Sequence, residues 1–393
     1  MHIGVASPVD IPALRPYLTE GPADGAAWPA GMGGSAVTPL LEGLLAAGHR
    51  VGVYTLDPRV AAPLTLRGPQ LTVYVGPFRP RARQHCPDLF AQEAAHVAAF
   101  IRHDQPELVH AHWGYEFAWG ALRSGWPHLI TLHDNPWQIL RYQTDAYRVV
   151  RLLLKQRVLR RGRHFTAVSP YLADTLAGRG RQPAVVPNAV RAAVGGARTL
   201  PTEGPVRLVS MLTQWSAGKN ATTALLAFQQ LRRLYGQPLE YWLFGADYAP
   251  GGPAHRWAQT QGAADGVFFA GRVTHDALLA QLPTFDVLVH PAREESFGMT
   301  LVEAMQAGVP VVAGQRAGGV PWVLDEGRSG VLADVNSPAA LATAILKLLR
   351  DPARYAALSA GGLARVHDRF SVAAVTAAYE HQYRQVLAAH QPA

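Results

Sequence analysis

Glu295 and Glu303 stand eight residues apart in REESFGMTLVEAMQAG, the stretch from Arg293 to Gly308. The preceding FDVLVHPA reads as a strand and loop. Ser296 is placed to cap a helix over GMTLVEAMQ, which Gly308 stops. Gly298 lets a ligand approach the backbone closely. Amides from Phe297 through Met299, Thr300 and Leu301 would point out of the helix end, where the macrodipole is positive and favours an anion. Glu303 lies about a turn further in, and its carboxylate can accept two hydrogen bonds from a vicinal diol. Glu295, on the loop, can do the same for a second group of hydroxyls. The pattern suits a ligand with hydroxyls at both ends and phosphate between them, as in a sugar nucleotide.

Lys219, in TQWSAGKNATTALLAF, follows a strand and precedes a helix, where a lysine can meet a diphosphate as a point charge. It is one of three lysines (Lys155, Lys219, Lys347) beside 33 arginines, so its retention favours a role. The run GMGGSAVTPLLEGLLAAGHRV places Gly33 and Gly34 in a glycine-rich loop opening a helix, which permits close approach to phosphate. VHAHWGYEF and TLHDNPW each end a strand in histidine. His110, His112 and His133 with Asp134 suggest a metal or acid–base cluster, but no pair has the helical i,i+4 spacing of a metal site. His112, His133 and Asp134 are read instead as lining the acceptor side, against the plainer reading of hydrogen-bonded packing.

These residues need a scaffold. The 393 residues suggest two domains, and 49% apolar with 16% charged residues is a globular composition. No apolar run is long enough to span a bilayer, and MHIGVASPV lacks a signal peptide's basic start. The lone Cys86 excludes an internal disulfide framework and fits a cytoplasmic setting. The formal charge of +8 admits nucleic acid, an anionic membrane surface or a phosphorylated ligand; no nucleic-acid motif accompanies it. Residues 148–164, RVVRLLLKQRVLRRGRH, read as a basic helix. It could touch the inner face of a membrane peripherally, or turn Val150, Leu153, Leu154 and Val158 to the core.

Strand-like runs alternate with helical patterns: His2–Ser7, Arg50–Leu56, Leu71–Val75, Leu108–His112, Leu129–His133, Phe165–Ser169 and Ala184–Pro187, then, after RAAVGGARTLPTEGP, Arg207–Met211, Tyr241–Gly245, Val267–Gly271, Val287–His290 and Val309–Ala313. Alternation implies parallel sheets and an α/β class. The expected domains are 1–195 and 200–370, with a helix over 371–393 that can pack on either.

EESFGMTLVEAMQAGVPVVAGQRAGGVPWVLDEGRSGVLAD resembles the donor-site segment of the family-four retaining glycosyltransferases, with their E-x7-E pattern. Glu295, Phe297, Gly298, Glu303, Ala304, Met305 and Gly308 match, and the likeness is dense from Val267 to Asp334. It implies a GT-B fold of two facing Rossmann-like domains with a central cleft, the first on the acceptor side and the second binding the nucleotide-sugar donor. By the resemblance, Glu303 holds the ribose hydroxyls and Glu295 the donor sugar. Gly33 and Gly34 approach the donor phosphates, and backbone near Arg272 and Val273 reads the base. Glu295, Lys219 and His133 are the catalytic candidates. The family's usual arginine before the lysine is missing from LVSMLTQW; either Lys219 and the helix end suffice, or another arginine such as Arg272 or Arg293 reaches in, or activity is weakened. The implied activity is retaining transfer from a nucleotide-diphosphate sugar, a UDP-sugar favoured, to an acceptor hydroxyl or amine. The acceptor would be a small molecule, a glycan or a lipid-linked group, and no metal or cofactor is required. A sugar-nucleotide epimerase, a sugar phosphorylase and a non-catalytic binding or membrane-adaptor protein on the same scaffold remain as alternatives.

Overall fold

A computed structural model describes residues 1–22, 27–177, 180, 182–192 and 195–390. The chain divides into two compact units, Met1–Arg191 with Val372–Ala393, and Ala192–Ser371.

The first unit is built on an eight-stranded sheet. Its strands are β1 (His2–Ala6), β2 (Arg50–Asp57), β3 (Leu64–Arg67), β4 (Leu71–Pro77), β5 (Leu108–His112), β6 (His128–Leu132), β7 (Phe165–Ala167) and β8 (Ala184–Val185). They lie in the order β3-β4-β2-β1-β5-β6-β7-β8. Every pairing is parallel except β3 with β4, an edge hairpin that the expectation of parallel strands missed. Ile3 and Val5 of β1 and Val51 and Val53 of β2 are fully buried, the apolar content of strands covered on both faces. Among the helices are α1 (Thr38–Ala46), α2 (Ala91–Asp104), α3 (Glu116–Ser124), α4 (Pro136–Tyr142) and α5 (Ala146–Arg161). Leu152, Leu154, Val158 and Leu159 of α5 are buried, but Leu153 is 54% exposed and not part of the core as expected.

The second unit has six parallel strands: β9 (Val206–Met211), β10 (Leu239–Phe244), β11 (Val267–Gly271), β12 (Val287–His290), β13 (Val311–Gly314) and β14 (Val331–Ala333). Their order is β11-β10-β9-β12-β13-β14. The chain moves outward from β9 in one direction and from β12 in the other, so the carboxyl ends of β9 and β12 form a topological switch point, where α/β sheets bind ligands. Three helices bear on that edge: α6 (Ala221–Tyr235), α7 (His275–Gln281) and α8 (Met299–Gln306).

The last helix, α9 (Val372–Ala388), belongs to the first unit. It buries Val375, Tyr379, Tyr383 and Val386. A Cβ on Gly43 of α1 would lie 2.0 Å from Thr376 Oγ1, so glycine is what allows the two helices to approach. Tyr383 Oη and His110 Nδ1 are 2.8 Å apart, and His110 Nε2 is 2.7 Å from Thr131 Oγ1, all buried. Among the described residues no helix is long and apolar enough to cross a membrane.

Tyr383→Phe removes one partner of a buried hydrogen bond and leaves the other unmet. The expected loss is about 1–3 kcal/mol of unfolding free energy, read by urea denaturation. An unchanged midpoint would show that the His110 contact does not hold α9.

Candidate functional site

In the second unit the site residues gather on the loops after β9 and β12. Asn220 takes a left-handed backbone (φ 55°), which asparagine tolerates better than most side chains. Its buried Nδ2 donates to Pro291 O (3.0 Å) and Val335 O (2.6 Å), and its Oδ1 accepts from Thr223 Oγ1 at 2.8 Å. Arg293 closes the seam from the other side: its amide donates to Gly218 O at 2.9 Å, and its guanidinium to Ala217 O and Asn336 Oδ1, each at 2.8 Å.

This seam brings Lys219 to Glu295, Nζ to Oε2 at 3.1 Å, with His290 Nε2 3.5 Å from the same oxygen. Burial pushes the Glu295 carboxyl up, but the Lys219 ammonium, and after it His290, outweigh burial and hold it far below the usual carboxylate range. Glu295 is therefore ionised at any working pH. It can accept hydrogen bonds but holds no proton to donate.

Helix α8 begins at Met299 behind Gly298, which sits at φ 91°. A Cβ there would meet Leu301 Cδ1 at 2.7 Å, so the residue must be glycine for two reasons. Ser296 is not the cap; the positive φ of Gly298 turns the chain into the helix instead. Phe297 is 2% exposed and packs edge-on against Phe370 at 5.5 Å, so its ring anchors the loop. Glu303 is 6% exposed and accepts from His275 Nε2 at 2.8 Å. Thr300 Oγ1 lies 3.4 Å from His290 Nδ1. Arg272 is exposed and Val273 half-buried just beyond β11.

The first unit gathers a second cluster. His112 Nδ1 and His133 Nε2 are 2.9 Å apart, and the Trp113 ring stacks on His133 at 4.2 Å. His112 is 2% exposed, and its Nε2 has no hydrogen-bond partner among the described residues. Burial, then the neighbouring His110 and Lys155, push His133 down to about 3. His110 and His112 are also pushed down by burial and by their ring neighbours. Asp134 accepts from Tyr115 Oη at 3.0 Å and from Lys155 Nζ at 2.9 Å, and Lys155 also donates to its backbone carbonyl. Gly34 (φ 104°) packs where a Cβ would be 2.1 Å from Pro8 O, while Gly33 faces open space. Asp57 at the end of β2 holds that loop by accepting the amides of Ala30 (2.9 Å) and Gly31 (2.8 Å).

Sequence reasoning placed Lys219 and Glu295 separately; the fold pairs them. It missed His275, His290, Asn220, Tyr115 and Lys155. His290 ends a parallel strand as His112 does, and that signal was available. Arg293, offered as a substitute cation, is committed to the loop seam.

Two family models match in tandem: "Glycosyltransferase Family 4" over residues 33–194 and "Glycosyl transferases group 1" over residues 201–364. The N-acetyl-alpha-D-glucosaminyl L-malate synthase of Bacillus anthracis is 32% identical over 123 residues, 31% of this chain and 32% of that protein. A D-inositol 3-phosphate glycosyltransferase of Corynebacterium kroppenstedtii is 43% identical over 91 residues, 23% of this chain and 20% of that one. The matched part thus spans about a third or less of these relatives. Among solved structures, sucrose-phosphate synthase of Thermosynechococcus elongatus superposes with a TM-score of 0.77 at 22% identity, over 99% of this chain and 100% of that one. HepE of Anabaena, in complex with UDP and glucose, gives 0.68 at 18% identity over 98% and 100%. At these identities the likeness concerns the fold, two α/β domains with parallel sheets.

Two outcomes follow. Asn220→Ala strands buried carbonyls and should cost about 2–4 kcal/mol, measured by denaturant unfolding; a loss near zero would show that the seam does not depend on Asn220. The second concerns pH. An unfolded histidine binds its proton near 6.5, native His133 only near 3, so between those values the unfolded chain holds more protons. Stability therefore rises with pH across that window and is lost as pH falls below 6.5. The melting temperature should drop from about pH 7 to about pH 5, less steeply in His133→Asn. Parallel curves for the two proteins would show that His133 is not held neutral.

Proposed function

Because the chain belongs to the family-four glycosyltransferases, matched model by model through both halves, we propose that it moves a sugar from a nucleotide-diphosphate sugar to an acceptor hydroxyl or amine, with retention at the anomeric carbon. The observation that carries this reading is the Lys219–Glu295 pair, 3.1 Å apart on the loops of a switch point, with Glu303 buried in the helix that follows. A UDP-sugar is the favoured donor; two neighbours of the same fold hold UDP with glucose or UDP-2-fluoro glucose.

In this reading Glu303 accepts the two ribose hydroxyls, taking over the hydrogen bond that His275 now makes. The first amides of α8, from Phe297 through Leu301, face the sugar or phosphate. Backbone beside Arg272 and Val273 meets the base. Glu295 cannot serve as an acid, because its proton is already gone; it orients the donor sugar by accepting its hydroxyls. The departing diphosphate then needs its charge offset without proton transfer from the protein. Lys219 does this as a point charge, and most of the rate comes from positioning and electrostatics. Arg272, exposed just beyond β11, is the second cation in this reading. The leaving phosphate takes the acceptor's proton. His133, held neutral, hydrogen-bonds a hydroxyl instead of acting as a charged acid, with His112 2.9 Å away fixing its place and Asp134 on the same acceptor side. Gly33 and Gly34 allow the first-unit loop to approach phosphate, and the first unit holds the acceptor.

Lys219→Ala should lower kcat about a hundredfold, the size of losing one preorganised charge in a transition state. Glu303→Ala should weaken UDP binding about tenfold or more, read by calorimetry against UDP, GDP and ADP. If both variants turn over and bind as the parent does, the assignment of this site is wrong.

A further inference from the structure

Several arginines of this chain sit beside carboxylates, as Arg59 does with Asp57, Arg79 with Glu93 and Arg191 with Glu42. A group of neighbouring ones does not. Toward the carboxyl end of α5, Arg157, Arg160, Arg161 and Arg163 have no carboxylate in ion-pair range among the described residues. Arg157 and Arg161 stack over Trp119, at 4.5 and 5.1 Å from its ring centre. Beside them opens a pocket of about 390 Å³, walled by Trp119 and Trp126. Arg123 and Arg161 line it with Arg163, His128 and His390, and no acidic residue does. It lies at the amino ends of β6 and β7, the edge of the sheet opposite His112 and His133.

A plainer account covers part of this. Cations near a helix carboxyl end are favoured by its dipole, which accommodates Arg160 and Arg161 of α5 and Arg123 of α3. It does not account for Arg163 beyond the helix, nor for three histidine rings drawn together. The His164 ring is 5.5 Å from His390 and 6.5 Å from His128. The groups facing these imidazoles are Arg163 from their own loop, Arg161 from α5, Arg123 from α3 and one another; no carboxylate joins them. Like charges assembled without an anion of the protein's own form a site for an external one.

We infer that this pocket binds a phosphate-bearing ligand at a site separate from the donor loops of the second unit. The Trp119 ring holds the arginine planes, and the guanidiniums bind phosphate oxygens. Binding therefore weakens with salt. A free phosphate compound and a phospholipid headgroup share this chemistry.

The test uses full-length protein carrying Lys219→Ala, which weakens phosphate binding at the donor loops. Calorimetry with inorganic pyrophosphate, and flotation with phosphatidylglycerol against phosphatidylcholine vesicles, are each run at low and at raised salt. The expected result is binding in at least one arm, weaker at the higher salt. Adding Arg161→Gln with Arg163→Gln should weaken it at least about tenfold. Both residues are exposed, so the variant should keep the parent's melting temperature, and on the Lys219 background its UDP response serves as the control. Pyrophosphate heat with no vesicle capture assigns a soluble ligand, and capture without heat assigns a headgroup. No binding in either arm, or binding that the double substitution leaves unchanged, overturns the proposal.

Discussion

The Asn220 side chain ties the loop after β9 to its neighbours from inside, while Arg293 closes the same seam from outside. The loops leave β9 and β12, neighbouring strands that the chain reaches some eighty residues apart, and the carbonyls Asn220 meets lie on the loops after β12 and β14. A single amide donates to Pro291 O and Val335 O. It is presented by a residue whose left-handed backbone also turns the chain into α6. Lys219 is its immediate neighbour, so the position of the ammonium follows from where that amide must sit. The place of Lys219 is thus set by a hydrogen-bond requirement one residue away.

Two of the three lysines in this arginine-rich chain are engaged in the same way. Lys219 holds Glu295 at the carboxyl edge of the second sheet, and Lys155 holds Asp134 at the carboxyl edge of the first. A compact ammonium on a narrow stem fits where a planar guanidinium would not. The stem of Lys155 runs so close to Gly114 that a Cβ there would lie 3.0 Å from it. In each case a largely enclosed carboxylate is neutralised before any ligand arrives, which avoids the large cost of leaving such a charge unpaired.

Much of this was legible in the sequence because it rests on local signals. The strand–helix alternation, the E-x7-E spacing and the glycine before α8 are all features of contiguous residues. The failures have physical causes too. Ser296 had the composition of a cap, but the positive φ at Gly298 decides where α8 starts. The strands β3 and β14 are only four and three residues long, too short for periodicity. Lys155 stood in a run of arginines and read as one more solvated cation, although it is 3% exposed. Leu153 is apolar at a helical spacing and still faces outward. His275 could not be linked to Glu303 from spacing, because a strand and a loop separate them and only the sheet order brings them within 2.8 Å.

The return of α9 to the first unit has a consequence for synthesis on the ribosome. The hydroxyl that meets His110 belongs to Tyr383, 273 residues later in the chain. The first sheet therefore emerges early but must wait, with the seat of α9 uncovered, while all of Ala192–Ser371 is translated. The second unit, continuous in sequence, can close around its own core in the meantime. The unit made first is thus completed last, and its exposed apolar surface during that interval is where a nascent chain of this kind would call on a chaperone.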